Sequence, residues 1–355
     1  MTAGEATIVD TPDGVDREGV TAWLAQRIPS LSPPLTFELI AGGRSNLTFN
    51  ITDTASGHWV LRRPPLGKVL ASAHDMGREH RIIAALGPSP VPVPPVVGLC
   101  EDIEVNGSPF YVMDYVAGSV LRTLDEVDSA YDASGCQAIS CSLIDTLATI
   151  HAVDVDAVGL GELGKRDDYI ARQLHRWYGQ FQKGEIGEIP SVDRVHDRLV
   201  AAIPPQREST IVHGDFRLDN CLLSPSGEVA AVLDWEICTL GDPLADLGLL
   251  MVYWADPGDS FAALGAGPTT AEGFLRRQEM LDRYTETTGR DASAIGSYVA
   301  FGYWKLACIL TGVATRYAAG VMGDEDAADE MAKGFIGLVR QLADAAEQSL
   351  DEVAP

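Results

Sequence analysis

Apolar residues change from period two in the first third of this chain to mainly helical spacing after Gly118, and that change limits what it can build. Leu47, Phe49 and Ile51 alternate with polar neighbours, Thr54-Ala55-Ser56-Gly57 supplies a turn, and Trp59-Val60-Leu61 resumes the run. That pattern predicts a hairpin. Further strands are expected at 36–40, 96–100 and 110–115, the last two joined through Asn106-Gly107, a tight-turn dipeptide. Helical spacing of Val20, Trp23, Leu24 and Ile28 predicts a lead-in helix over 16–28, and Met76, Ile82, Ile83 and Leu86 predict another over 74–86. Prolines 88, 90, 92, 94 and 95 then impose an extended connector. After Gly118 the period becomes helical, at about 137–150, 168–181 and 192–202 and again to the end, interrupted by a strand-rich stretch at 211–235. The expected fold is α+β and bilobal. Residues 1–115 make a small β-rich N-lobe and residues 116–355 a larger, mainly helical C-lobe.

Composition narrows the function classes. With 355 residues and 46% of them apolar, the chain can bury a sizeable core. Its 51 acidic against 26 basic residues leave a net charge of −25. A field of that sign repels phosphate backbones and anionic headgroups, so neither nucleic acid nor membrane is expected as a partner. The first basic residue is Arg17, and the opening ten residues show no targeting pattern. The longest nearly apolar stretch, Leu247 to Ala255, is far shorter than the ~18 residues of a spanning helix. Six scattered cysteines lack metal-like spacing and suit reduced thiols, so a cytoplasmic location is expected. Nothing in the pattern speaks to oligomeric state, and the tail 348–355 is expected to be mobile.

The densest chemistry lies in Ile211-Val212-His213-Gly214-Asp215-Phe216-Arg217-Leu218-Asp219-Asn220, and Val232-Leu233-Asp234-Trp235-Glu236 follows after a turn at 224–227. Asn220 and Asp234 are thereby expected side by side at the open end of a hairpin. An Asn carbonyl and an Asp carboxylate are hard oxygen ligands suited to Mg²⁺. Asp215, five residues before Asn220, could accept a proton from an attacking hydroxyl, and Arg217 could neutralise phosphoryl oxygens.

His-x-Asp-x-x-x-x-Asn followed by a metal Asp resembles the core of the protein-kinase-like superfamily. His-Gly-Asp and Asp-Trp-Glu in place of His-Arg-Asp and Asp-Phe-Gly resemble its aminoglycoside phosphotransferase and choline kinase branch. The string HGDFRLDN with LRRPP upstream is most similar to the subgroup that includes kinase-like domains fused to acyl-CoA dehydrogenases. The resemblance covers about residues 36–320 and implies a protein-kinase-like fold. It implies a Mg-ATP-dependent small-molecule O-phosphotransferase, with GTP not separable from ATP and a hydroxylated small molecule as acceptor. Asp215 would be the catalytic base, His213 the loop-ordering residue, and Asn220 and Asp234 the Mg²⁺ ligands. An aminoglycoside, a hydroxyacyl-CoA and other small alcohols are all open as acceptors. A non-catalytic nucleotide-binding pseudokinase is the competing class, although a scaffold has no need of Asp215, Asn220 and Asp234 together.

The nucleotide end is read in the same way. Gly42, Gly43, Arg44, Ser45 and Asn46 lie where a kinase places its phosphate loop, and two glycines allow close backbone approach. Val60-Leu61-Arg62 resembles the strand that carries the phosphate-binding lysine, with Arg62 in its place. Alternation puts Arg62 on the face of Val60 and Arg63 opposite; the register with Arg63 inward stays open. Glu79 is the natural partner of Arg62. Met113, Tyr115 and Val116 would meet adenine, through the Tyr115 or the Val116 backbone. Asp242 with Pro243 makes a helix start, and the resemblance implies that Asp246 braces the catalytic loop. Glu236 could reach a second metal or solvent. His151 reads as a structural histidine, and Trp304, Lys305, Arg316 and Tyr317 either line an acceptor pocket or pack.

Overall fold

The structure, a computed structural model of the chain, describes residues 11–41, 46–66, 75–184, 186–259, 267–318 and 325–353. They belong to two compact units, Met1–Ala117 with Ala230–Glu236, and Gly118–Val229 with Ile237–Pro355.

The first unit begins with α1 (Arg17–Ala25), whose N-cap Asp16 accepts from the Gly19 N–H at 2.9 Å. Strands β1 (Thr36–Ala41), β2 (Leu47–Thr52) and β3 (His58–Arg63) follow, then α2 (Met76–Leu86), β4 (Val96–Cys100), α3 (Ile103–Asn106) and β5 (Phe110–Asp114). The sheet order is β1-β2-β3-β5-β4, antiparallel at every pair. Asp53 shapes the β2–β3 turn by accepting from the N–H groups of Ala55 and Gly57 at 2.9 and 2.7 Å. The alternation read in the sequence is the burial pattern found: Phe49, Ile51, Leu61, Phe110 and Val112 pack with Leu24 in a closed core. Helix α2 lies on β4 and β5 with Met76, Ile82, Ile83 and Leu86 buried.

One turn differs from expectation. Asn106-Gly107 is not a two-residue hairpin loop but the end of α3, where Gly107 at φ 70° donates to the Ile103 carbonyl at 2.7 Å. Asp102 accepts from the Glu104 N–H and starts that helical turn, so the left-handed glycine serves as its stop signal.

Arg63 also has a structural task. It points away from the Arg62 face and donates to the carbonyls of Gly14 and Asn106. Arg63→Ala should lower the unfolding free energy by about 1–3 kcal/mol, because it leaves carbonyls without their donor. Chemical denaturation checks the loss, and nucleotide titration should show affinity unchanged.

The second unit is mainly helical. Its helices are α4 (Leu124–Ala130), α5 (Ala133–His151), α6 (Tyr169–Phe181), α7 (Pro190–Ala201), α8 (Leu244–Tyr253), α9 (Arg277–Thr288), α10 (Ile295–Ala318) and α11 (Glu325–Val353). Thr123 and Glu126 form a capping box on α4, and Asp132 caps α5, which starts four residues earlier than the apolar spacing suggested. The strand-rich insert resolves into β6 (Thr210–Val212), β7 (Cys221–Leu223), β8 (Val229–Val232), which from Ala230 on belongs to the first unit, and β9 (Thr239–Gly241), with β6 antiparallel to β9. Helix α10 is long and apolar enough by composition to cross a membrane. Its Tyr298, Phe301, Trp304, Ala307 and Cys308 are buried, and it packs on α6, α7, α8 and α11. Gly248 of α8 permits the approach to α10, since a Cβ there would lie 2.6 Å from the Tyr298 backbone.

The expected mobile tail after Glu347 is instead helical as far as Val353. Val339, Leu342, Ala343, Ala346 and Leu350 continue one buried face, and Arg198 of α7 pairs with Asp351 at 2.8 Å.

Candidate active site

In the second unit, β6 runs into His213-Gly214-Asp215, and a buried carboxylate in the first turn of α8 holds this loop. Asp246 accepts from the N–H groups of His213 and Gly214 at 2.6 and 2.8 Å. Gly214 has φ +88°, and a Cβ on it would sit 3.1 Å from Ile237. Only glycine suits that backbone. On the far side, His151 Nε2 lies 3.5 Å from Asp246, and His151 Nδ1 lies 2.7 Å from the Tyr284 hydroxyl. Burial pushes His151 below the usual histidine range despite Asp246. Against the cost of burial, hydrogen bonds from His151 and Gly214 hold Asp246 below the usual carboxylate range. His151 therefore sits two steps behind the loop, as a structural histidine.

The Asp215 carboxylate is held on both oxygens. Oδ2 accepts from Asn220 Nδ2 at 3.0 Å and Oδ1 from the Tyr253 hydroxyl at 3.2 Å. Asn220 Nδ2 also donates to the Asp215 carbonyl at 2.7 Å. The Asp215 N–H meets His213 Nδ1 at 3.3 Å, which gives the buried His213 its loop-ordering contact. Arg217 pairs with Asp219 and lies over the Tyr253 ring, 4.4 Å from its centroid. Sequence reasoning missed Tyr253, since no local spacing links it to a loop 38 residues away.

The first unit carries polar residues of its own. Arg62 bridges Glu79 at 3.3 Å and Asp234 at 3.1 Å, which settles the register. Burial opposes the Arg62 charge, but the Glu79 and Asp234 carboxylates more than offset it and keep the guanidinium protonated. Burial pushes the Glu79 carboxyl up, with Arg62 acting against it. Asp234 sits at φ 65°, in the left-handed region that Asp and Asn enter more readily than other side-chain-bearing residues. Buried Asn46, at the start of β2, reaches Glu236 at 3.5 Å, so Glu236 faces the β1–β2 end of the sheet. Gly42, Gly43, Arg44 and Ser45 lie outside the described residues.

The two adenine-contact candidates separate. The Tyr115 N–H donates to the His58 carbonyl at 3.2 Å, and its ring stacks on His58. That amide is committed, so the Val116 N–H is the stronger candidate. Met113 is paired between Val60 and Val96.

Donor chemistry fits Mg²⁺. Asn220 uses Nδ2 twice on Asp215, which leaves Oδ1 as a hard oxygen donor. Asp234 engages Arg62 through Oδ1 only. These two candidates belong to different units, and among the described residues no three His, Cys, Asp or Glu side chains form a metal cluster. Each is a hard oxygen donor of the kind Mg²⁺ takes.

A cavity of about 350 Å³ in the second unit is lined by Arg217, Asp219 and Tyr253 together with Arg122, Arg277 and Tyr303. Of the late-helix residues considered from sequence, Trp304 donates to the Val192 carbonyl in the core and Tyr317 stacks on Phe335. Tyr303 is the α10 side chain that lines this cavity.

An antiparallel sheet with an Arg–Glu pair, and a helical unit with a braced His-Gly-Asp loop, are features of a protein-kinase-like fold. The chain belongs to the phosphotransferase enzyme family (APH), whose pattern matches residues 36–286. Acyl-CoA dehydrogenase family member 10 of Mus musculus is 38% identical over 283 residues, covering 78% of this chain and 26% of that protein. The chain thus spans about a quarter of that relative and 41% of the Rattus norvegicus family member 11. A presumed aminoglycoside phosphotransferase of Ralstonia eutropha JMP134 superposes with TM-score 0.79 at 32% identity, over 94% of this chain and 99% of its own. A streptomycin–ATP complex of APH(2″)-IIa shares the fold at TM-score 0.57 and 14% identity, over 84% of this chain and 90% of its own.

Proposed function

We propose that this chain is a cytoplasmic Mg-ATP-dependent kinase that moves the γ-phosphate onto a hydroxyl of a small molecule. The observation that carries the reading is the Asp215 carboxylate, held by Asn220 and Tyr253 in a loop pinned to Asp246. Asp215 accepts the proton of the attacking hydroxyl, and Arg62, already set by Glu79, binds nucleotide phosphates. Asn220 and Asp234 would hold Mg²⁺, which neutralises phosphate charge when bound. The family and a neighbour of the same fold seen with ATP support the nucleotide; a pseudokinase scaffold would have no use for this intact set.

The acceptor reading follows from the cavity beside Arg217. Of the three arginines lining it, Arg217 pairs with Asp219 and Arg277 with Asp256 and Asp259, so Arg122 is the lining cation outside those ion pairs. Arg122 favours an anionic hydroxylated molecule over a polycationic aminoglycoside, and similarity to an acyl-CoA dehydrogenase family member supports a hydroxyacyl thioester. The test is a comparison of kcat/KM across hydroxyacyl-CoAs, hydroxy acids, amino alcohols and aminoglycosides. The anionic acceptors should lead by about tenfold or more, the worth of one charge-assisted contact. An aminoglycoside at the top of the series would overturn the acceptor assignment.

A further inference from the structure

Behind the His-Gly-Asp loop, α10 carries a buried lysine that none of the roles above employs. Lys305 is 4% exposed, and its Nζ donates to the Gly214 carbonyl oxygen at 2.8 Å. The other side of the same residue is held too, because the Gly214 N–H donates to Asp246. At φ +88° and without a side chain, Gly214 has its two peptide planes set by these partners. Its carbonyl shares a plane with the Asp215 N–H, so tilting that plane displaces Asp215.

The amine also needs an explanation in its own right. Burial draws the Lys305 ammonium below the usual lysine range, with Asp215 and Asp246 acting the other way and Arg176 of α6 adding to the fall. The Trp177 ring, 5.9 Å from Nζ, contributes a weak contact. An apolar side chain of similar length would fill this place without that desolvation cost. The hydrogen bond to Gly214 is what the amine supplies and an apolar chain cannot.

We propose that Lys305 is a positioning residue for phosphoryl transfer, fixing the Gly214–Asp215 peptide so that the Asp215 carboxylate meets the acceptor hydroxyl. This rests on Asp215 acting as the base. A misplacement of about 1 Å costs on the order of 10²-fold in rate. Lys305→Met should therefore lower kcat roughly ten- to a hundredfold while KM for ATP stays within about twofold. Hydrogen exchange of the 213–215 amides should accelerate by about tenfold or more, with α11 unaffected. Lys305→Gln keeps an N–H donor and should lose less in both readouts; it also carries the test if the Met variant fails to fold. A folded Met variant with wild-type loop exchange and wild-type kcat would overturn the proposal, as would a loss confined to KM for ATP. If the wild type transfers no phosphate, the kinase reading fails, and loop exchange still decides whether Lys305 holds Gly214.

Discussion

Replacing Asp215 by Asn should cut phosphoryl transfer by about 10²–10⁴-fold, the usual worth of a positioned general base, while leaving ATP affinity nearly intact. Asn keeps the shape of the side chain and can still meet the Tyr253 hydroxyl, so the loop pinned by Asp246 should keep its conformation. What it cannot do is take the proton of the acceptor hydroxyl. The loss should fall on kcat and on kcat/KM alike, the signature of an interaction made in the transition state. Steady-state kinetics beside nucleotide titration checks both halves. A variant that keeps more than half the wild-type turnover would remove Asp215 from the chemistry.

Arg62→Ala should show two separable losses. Arg62 is the cation between buried Glu79 and Asp234, so its removal strands a carboxylate and should cost about 3–5 kcal/mol of stability. It also removes a phosphate donor worth about 1.5–3 kcal/mol, so ATP affinity should fall roughly ten- to a hundredfold and adenosine affinity far less. Adding Glu79→Gln to Arg62→Ala should recover part of the stability and none of the ATP affinity. Denaturation and calorimetric titration of the single and double variants separate the two effects. Equal losses for ATP and adenosine would take Arg62 away from the phosphates.

Much of this account was legible because the chemistry is local in the chain. Asp215 and Asn220 share one loop, and strand alternation alone placed Arg62 opposite Arg63. The apolar periods located the sheet and most helices for the same reason: burial repeats with the backbone. What escaped depends on long-range packing. Tyr253 reaches Asp215 from the end of α8, and Lys305 reaches Gly214 from α10, 91 residues away. The commitment of the Tyr115 amide to His58 depends on how β5 leaves the sheet. Asn106-Gly107 was misread because a left-handed glycine serves a helix stop as well as a hairpin. The last turns of α11 were misread because chain ends fray by default, whereas Leu350 has a core to join.

The central claim is that the chain forms a phosphoester on a small-molecule hydroxyl at the expense of ATP. The most direct measurement is mass spectrometry of an acceptor panel incubated with γ-labelled ATP and wild-type protein, with and without Mg²⁺, beside Asp215→Asn. Labelled phosphate should appear on a hydroxylated acceptor with the wild type and Mg²⁺, vanish without the metal, and drop to background in Asp215→Asn. ATP binding by a correctly folded wild type, with no labelled product from any acceptor or with equal product from both proteins, would contradict it.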